Sequence, residues 1–159
     1  MPLLIALAAC NAASPAPKAG DHPPGFVLPD LSDKEVNVPG DFTGKVVVIR
    51  FWADWCPYCK DDMKDIEHLY KQYKEMGLVV LAVNVAQKKD IAEAFTKKLG
   101  ITYPVLLDST SKVAKSYGVV SLPTTFLLDR SGTLKVKFLG ETNATTMQQH
   151  ISSLITGGQ

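Results

Sequence analysis

Two cysteines separated by two residues are the part of this sequence best suited to chemistry. Cys56 and Cys59 follow the apolar β-branched run at residues 46–49 and open a helical pattern. At a strand-to-helix turn, this spacing predicts a redox motif. We expect Cys56 at the N-terminal end of the helix, where free N–H groups favour an anion and lower the pKa of a thiol. Pro57 suits the first helical position, and Cys59 can then reach the same sulfur. The expected chemistry is thiol–disulfide exchange through a mixed disulfide.

Cys-x-x-Cys pairs also occur in zinc sites, haem attachment sites and structural disulfides. Zinc needs about four ligands, and the third cysteine, Cys10, lies in a leader-like segment, while His68 lies roughly 180° around the helix from Cys59. We therefore expect no metal site. C-type haem attachment needs a histidine after the second cysteine, where this chain has Lys60. A structural disulfide stays open, although a bond across so short a loop stabilises little.

Length and composition predict one globular domain with a sizeable core. The chain has 159 residues and a formal net charge of +1, with 46% hydrophobic and 21% charged residues. Near-neutral charge without a basic block gives no support for nucleic-acid binding. No apolar run approaches the roughly 20 residues that span a membrane.

The N-terminal residues have the pattern of a secretory leader. Residues 1–10 are apolar and end in small residues, and Leu-Ala-Ala-Cys at 7–10 is similar to a bacterial lipobox, in which Cys10 would be lipidated. The alternative is an apolar N-terminus with a stray cysteine. Residues 11–25, rich in Pro, Ala and Gly, are predicted to be a flexible linker. The folded domain is expected to cover residues 26–159.

Apolar periodicity predicts alternating strands and helices, with the Cys-x-x-Cys pair between a buried strand and a long helix. A final antiparallel hairpin makes the predicted architecture a mixed-sheet α/β sandwich. The domain begins at residues 26–31, which are expected to form a hairpin with the strand at 34–38. The further predicted strands are 45–52, 78–85, 103–107, 124–128 and 134–139, and the predicted helices are 57–76, 88–99, 111–117 and 143–155.

Residues 52–59, Trp-Ala-Asp-Trp-Cys-Pro-Tyr-Cys, resemble the W-A-x-W-C-x-x-C signature of the thioredoxin superfamily. From about residue 25 onward the chain resembles its TlpA/ResA/DsbE-like branch of extracytoplasmic thiol–disulfide oxidoreductases. The resemblance implies a thioredoxin-like three-layer sandwich with a mixed central sheet, an N-terminal β-hairpin and a central helix/strand insertion. It also implies that Cys56 and Cys59 form a redox-active disulfide without any cofactor, with Cys56 as nucleophile and Cys59 as resolving thiol.

Leu122 and Pro123 form a second motif. An X-Pro bond is cis in only about 5–6% of cases in folded proteins, so the sequence alone predicts a trans bond. The resemblance implies a cis bond that faces the two cysteines and offers the backbone of Leu122 to substrate. It further implies that Trp55, Pro57 and Tyr58 contact substrate together with Leu122 and Pro123.

Asp62 and Arg50 are the remaining candidates. Asp62 follows Cys59 by three residues and shares its helix face, and the branch usually has Glu there, which implies an acid that exchanges protons with Cys59. The alternative is a solvated acid that favours the helix dipole. Arg50 departs from the branch, which usually has Asn at that position. We expect either a buried pair of Arg50 with Asp62 or an Arg50 side chain that extends to solvent at a sheet edge.

The function implied by the resemblance is that of a monomeric, membrane-tethered reductase of extracytoplasmic proteins, such as apocytochromes awaiting haem. Its expected partners are protein thiols and disulfides, an upstream electron donor in the membrane, and the membrane itself through a lipid on Cys10. Three alternatives stay open. The first is a glutathione-linked glutaredoxin-like enzyme, although such enzymes normally lack the Trp-Ala-x-Trp sequence ahead of the cysteines. The second is a peroxiredoxin-like peroxidase, although those have Thr or Ser where this chain has Ala53. The third is a non-catalytic binding module.

Overall fold

A five-stranded mixed sheet lies at the centre of the fold in the computed structural model, which describes residues 15–157. A hairpin of β1 (Phe26–Pro29) and β2 (Glu35–Val38) precedes the sheet strands β3 (Val46–Trp52), β4 (Leu78–Val85), β5 (Val105–Asp108), β6 (Thr124–Leu128) and β7 (Leu134–Leu139). Their order across the sheet is β5-β4-β3-β6-β7. The central strand β3 is parallel to β4 and antiparallel to β6, which makes the sheet mixed.

Helices and the hairpin cover the two faces of the sheet. The helices are α1 (Cys59–Tyr73), α2 (Lys89–Leu99), α3 (Lys112–Ser116) and α4 (Ala144–Thr156), with short 3₁₀ helices at Gly40–Phe42 and Lys74–Met76. The core on one face is formed with α1, α2 and α4, and the core on the other face with the hairpin and α3. These three layers confirm the predicted architecture, and α2 and β5 occupy the place of the predicted insertion.

The strand β3 is buried along its whole length because both of its faces are covered. Successive side chains of a strand point to opposite faces. The odd-numbered side chains Val47, Ile49 and Phe51 join the core under the hairpin, whereas the even-numbered ones join the core under α1 and α4. Arg50 is even-numbered, and it therefore lies on the face that α1 covers.

The helix α1 begins two residues later than predicted. Cys59 is its first residue, and Pro57 and Tyr58 form a turn in which the Cys59 N–H donates to the Cys56 carbonyl over 3.3 Å. This tight bond spans three residues rather than four, so the regular helix starts only after it closes. At the other end, the predicted stop is confirmed by Gly77, which has a left-handed φ of 99°.

Residues 15–25 are held against the domain, contrary to the flexible linker predicted for 11–25. Gly20 N–H donates to the Leu134 carbonyl over 2.8 Å, and Leu134 N–H donates to the Asp21 carbonyl over 2.8 Å. The Tyr117 hydroxyl donates to the Pro24 carbonyl over 2.9 Å. The attachment uses backbone hydrogen bonds, which composition does not reveal, together with the buried Pro17.

Candidate active site

The two cysteines form a disulfide just beyond the C-terminal end of β3. Cys56 and Cys59 have their Cα atoms 5.4 Å apart, and their exposed fractions are 2% and 0%. The turn that leads into the pair is closed by the Cys56 N–H, which donates to the Ala53 carbonyl over 3.2 Å. Both cysteines are thus buried at the junction of a strand and a helix, and Cys56 is the slightly more accessible residue.

Large apolar side chains stand exposed around the disulfide. Trp55 is 68% exposed and Tyr58 is 56% exposed, and Pro57 between the cysteines is also exposed. Val120, in the loop that leads to Leu122, is 90% exposed. Such exposure next to a reactive group is typical of a protein-binding surface. Sequence reasoning missed Val120, because a valine in a loop carries no signal until its neighbours are known.

A groove of about 260 Å³ brings two of the predicted substrate residues together. Trp55 and Leu122 both line it, together with Val119, Val120 and Lys115. The Leu122–Pro123 peptide bond is cis, as the resemblance implies. Pro123 is buried, and its carbonyl accepts from the Gly140 N–H over 2.8 Å. The contribution of these residues to substrate binding stays a prediction.

Arg50 and Asp62 form a buried ion pair. Arg50 is fully buried, and its Nη2 donates to Asp62 Oδ2 over 2.7 Å, while its Nη1 donates to Thr125 Oγ1 over 2.8 Å. Asp62 Oδ2 also accepts from the Thr142 N–H over 3.1 Å. The predicted pair is therefore confirmed, and the alternatives of a solvent-facing Arg50 and a solvated Asp62 are wrong. A role for Asp62 in proton exchange with Cys59 stays a prediction.

The pair borders a small cavity between α1 and α4. The cavity of about 10 Å³ is lined by Arg50, Asp62, Thr142 and Asp65 among others, and it has room for about one water molecule. Within residues 15–157, Arg50 Nε and Thr142 Oγ1 are buried without a hydrogen-bond partner. Burial lowers the pKa of Arg50, an effect that the charge of Asp62 opposes. Since an arginine titrates far above neutral pH, the guanidinium stays charged and continues to bind the carboxylate.

A side-chain network that sequence reasoning missed holds the turn ahead of Cys56. Gln87, just after β4, accepts from the Asp54 N–H over 2.9 Å and from Asn84 Nδ2 over 2.8 Å, and its own amide nitrogen donates to Asp54 Oδ1. The contacts between Asp54 and Gln87 join residues 33 positions apart. No local motif of the sequence could have indicated them.

The described residues contain neither a cluster of metal ligands nor a helix that could span a membrane. Within residues 15–157, no three His, Cys, Asp or Glu side chains are grouped so that they could hold a metal ion. The helices in this part of the chain are all too short or too polar to cross a membrane. Cys10, the predicted lipidation site, lies outside the described residues.

Comparison with known proteins identifies the family. Residues 19–137, well over half of the chain, match the AhpC/TSA family. The chain belongs to this family. Thiol-disulfide oxidoreductase ResA of Geobacillus thermodenitrificans is 38% identical over 135 residues, which cover 85% of this chain and 77% of that protein. ResA of Bacillus subtilis is 36% identical over 140 residues, covering 88% and 77%.

Solved structures agree with this assignment. The thiol:disulfide interchange protein DsbE from Chlorobium tepidum superimposes with a TM-score of 0.81 at 31% identity, covering 87% of this chain and 98% of that one. The predicted thioredoxin-like fold is thus confirmed. With these relatives and its Cys56–Cys59 disulfide, this AhpC/TSA family member is an enzyme of the thiol–disulfide oxidoreductase class.

Proposed function

We propose that the enzyme reduces disulfides of other proteins on the extracytoplasmic side of a membrane. The observation that carries the proposal is a disulfide at a strand–helix junction, surrounded by exposed Trp55, Tyr58 and Val120. An apolar surface of this kind accommodates a polypeptide rather than a small peroxide. Apocytochromes awaiting haem are the substrate that the resemblance to the TlpA/ResA/DsbE-like branch favours.

The proposed reaction starts from the reduced enzyme. The Cys56 thiolate attacks one sulfur of the substrate disulfide, which forms a mixed disulfide and releases one substrate thiolate. The Cys59 thiolate then attacks Cys56 Sγ, which releases the second substrate thiolate and leaves the Cys56–Cys59 disulfide. The substrate gains two electrons and takes up two protons from solvent, the same number that the Cys56 and Cys59 thiols lose. The Asp62 carboxylate could accept the Cys59 proton as that thiol becomes the attacking thiolate. A dithiol donor in the membrane would return two electrons to the enzyme.

The proposed location depends on Cys10. A lipid on this cysteine would hold a monomeric enzyme at the membrane surface, close to its electron donor. Cys10→Ser in the native host should release the protein from the membrane fraction and leave the activity of the purified enzyme unchanged. Membrane association that persists in this variant, with the leader still processed, would contradict lipidation.

Trapping the mixed disulfide tests the assignment of the two cysteines. With Cys59→Ala, the enzyme should accumulate as a covalent complex with insulin or with a disulfide-bonded apocytochrome. The complex should be visible on non-reducing gels and released by dithiothreitol. With Cys56→Ala, no complex should accumulate. The reverse pattern would refute Cys56 as the attacking thiol.

Catalytic assays separate the alternative functions. We expect the wild-type enzyme to reduce insulin with dithiothreitol and to show neither peroxide consumption nor glutathione-linked turnover. Loss of all three activities, with intact folding, would favour a binding module. A redox titration against glutathione buffers, followed by the fluorescence of Trp52 and Trp55, gives the reduction potential of the disulfide. That potential sets the direction in which electrons flow between the enzyme and its substrate. Because Trp52 is buried in the same core cluster as both cysteines, its fluorescence should respond to the disulfide.

A further inference from the structure

The turn that presents Cys56 is packed at both ends but exposed in its middle. Ala53 and Cys56 are buried, but Asp54 and Trp55 between them are exposed. The bond from the Cys56 N–H to the Ala53 carbonyl closes the turn but does not attach its outer part to the domain. The outer part of the turn, which leads into Cys56, is therefore held by the contacts of Asp54.

The side chain of Gln87 makes that attachment with both ends of its amide. Gln87 Oε1 accepts from the Asp54 N–H over 2.9 Å and from Asn84 Nδ2 over 2.8 Å. Gln87 Nε2 donates to Asp54 Oδ1. Only one orientation of the amide serves these partners, because the N–H groups need an acceptor and the carboxylate needs a donor. A single side chain thus binds the backbone and the side chain of Asp54 at once.

Gln87 is itself fixed at the end of β4. Asn84 is fully buried and lies beside Trp52 in the register of β3 and β4, so it is a rigid base for the Gln87 amide. Ala86 has a left-handed φ of 57°, and its N–H donates to the Asp108 carbonyl over 3.0 Å. This backbone conformation, uncommon for a residue other than glycine, directs the next residue back toward β3.

The contact also fixes the position of a charge that lies two residues from Cys56 in the sequence. Asp54 precedes Cys56 by two residues, and a nearby negative charge disfavours a thiolate. While Gln87 Nε2 binds the Asp54 carboxylate, that charge is held on the β4 side of the turn. Without Gln87, the carboxylate is free to rotate and the turn is free to move.

We propose that Gln87 is a positioning residue for Cys56. Gln87 acts through Asp54: it holds the turn and keeps the Asp54 carboxylate from approaching the Cys56 thiolate. The inference rests on the proposed role of Cys56 as the attacking thiol. It adds a residue outside the Cys-x-x-Cys motif to the determinants of the thiol's reactivity. Gln87 itself contacts neither the substrate nor the reacting sulfurs in this mechanism.

Alkylation of the reduced enzyme tests the proposal without any protein substrate. The rate at which iodoacetamide modifies Cys56 is followed against pH and read for each cysteine by mass spectrometry. In Gln87→Ala, the rate at pH 7 should fall about threefold to tenfold, a factor expected for one or two net hydrogen bonds, and the midpoint of the profile should move to higher pH. Gln72→Ala, an exposed glutamine of α1, is the matched control and should follow the wild-type profile.

Exchanging the two polar groups gives the sharper test. Gln87→Glu cannot donate to Asp54 and repels it, so its rate should fall at least as far as in Gln87→Ala. The double variant Asp54→Asn with Gln87→Glu restores the contact with donor and acceptor reversed, because the new amide can donate to the new carboxylate. Its Cys56 rate should return to within about twofold of wild type, the difference expected from a small fraction of one hydrogen bond.

The outcomes separate positioning from a purely structural role. A Gln87→Ala enzyme with a lowered urea midpoint and an unchanged alkylation profile would overturn the proposal, as would a folded double variant that reacts as slowly as Gln87→Glu. If Cys56→Ala rather than Cys59→Ala traps substrate, the proposed order of the cysteines fails. The alkylation profiles of Cys56 would still report whether Gln87 controls that thiol.

Discussion

Replacing Arg50 alone should destabilise the enzyme far more than replacing Arg50 and Asp62 together. In Arg50→Leu, the buried Asp62 carboxylate keeps the Thr142 N–H as its one partner within residues 15–157, and Thr125 loses its guanidinium. Removing one member of a buried pair costs about 3–5 kcal/mol, because the other charge stays buried without compensation. The same reasoning gives a similar loss for Asp62→Leu.

The double variant contains neither charge. Its main remaining cost is the Thr142 N–H, which loses its acceptor, and an unsatisfied buried group costs about 1–3 kcal/mol. The smallest coupling follows from a loss of about 3 kcal/mol in each single variant and about 3 kcal/mol in the double variant. The two single losses then exceed the double loss by about 3 kcal/mol, which is the coupling between Arg50 and Asp62. A coupling of this size lies far above the error of a double-mutant cycle.

Urea unfolding at pH 7, followed by tryptophan fluorescence, measures the cycle. With a slope of about 2 kcal/mol per molar urea, each single variant should lose about 1.5–2.5 M from its midpoint and the double variant less than about 1.5 M. Asp61→Leu, an exposed acid one residue earlier in α1, is the control and should combine additively with Arg50→Leu. Additivity of the Arg50 and Asp62 variants within about 0.5 kcal/mol would refute the reasoning. Should Arg50→Leu be unfolded in buffer, Arg50→Lys takes its place. It should lose less stability than Arg50→Leu because it keeps the positive charge beside Asp62, but it should still lose some, because an ammonium cannot bind Asp62 and Thr125 as the guanidinium fork does.

Three other variants test separate parts of the structure. Burial alone raises the pKa of Glu67, but its hydrogen bonds from Thr102 and Lys71 outweigh burial and hold that pKa below its ordinary value. Glu67→Gln should therefore lose about 1 kcal/mol of stability at pH 7, and the difference from wild type should disappear as the pH falls below about 4.3, as urea unfolding at both pH values would show. Val120→Ser removes an apolar contact and should raise KM for a protein disulfide about threefold to tenfold. The urea midpoint and the alkylation rate of Cys56 should stay unchanged. An unchanged KM would show that Val120 is not part of the binding surface. Arg130→Ala loses three bonds to backbone carbonyls and should cost about 2 kcal/mol in urea unfolding, a loss that a mere surface charge would not produce.

Much of the fold could be predicted because each layer leaves a periodic signal. The uninterrupted apolar run of β3 indicates a strand covered on both faces, and the Cys-x-x-Cys pair marks the turn that follows it. The start of α1 was misplaced, because Pro57 fits a first helical position as well as it fits a turn. Only the bond between Cys59 and the Cys56 carbonyl decides between them.

Contacts between distant residues account for the rest. The sequence allows Arg50 either to pair with Asp62 in the interior or to extend to solvent. Which of the two occurs depends on the face of β3 that Arg50 occupies and on whether α1 covers that face. Gln87 gave no signal, since it lies in a connection without periodicity and its partner is 33 residues away. Residues 15–25 have the composition of a free chain, yet they bind through backbone groups that every sequence possesses.

The attachment of residues 15–25 determines where a probe can be joined to this enzyme. Ala16 lies against Gly118, at a spot where the side chain of any larger residue at 118 would collide with it. The residues that follow, 119–122, border the groove beside the disulfide. A fluorophore, affinity handle or surface linker joined just ahead of Ala16 would therefore lie close in sequence and space to the segment that borders the groove proposed to bind substrate.

The other end of the described chain offers a better position. The carbonyl of Ile155 accepts from Arg130, which also binds the carbonyls of Gly44 and Met76, near the N-terminal ends of β3 and β4. Cys56 follows the opposite end of β3. An electrode or bead coupled beyond Ile155 would hold the enzyme with its disulfide facing the solution.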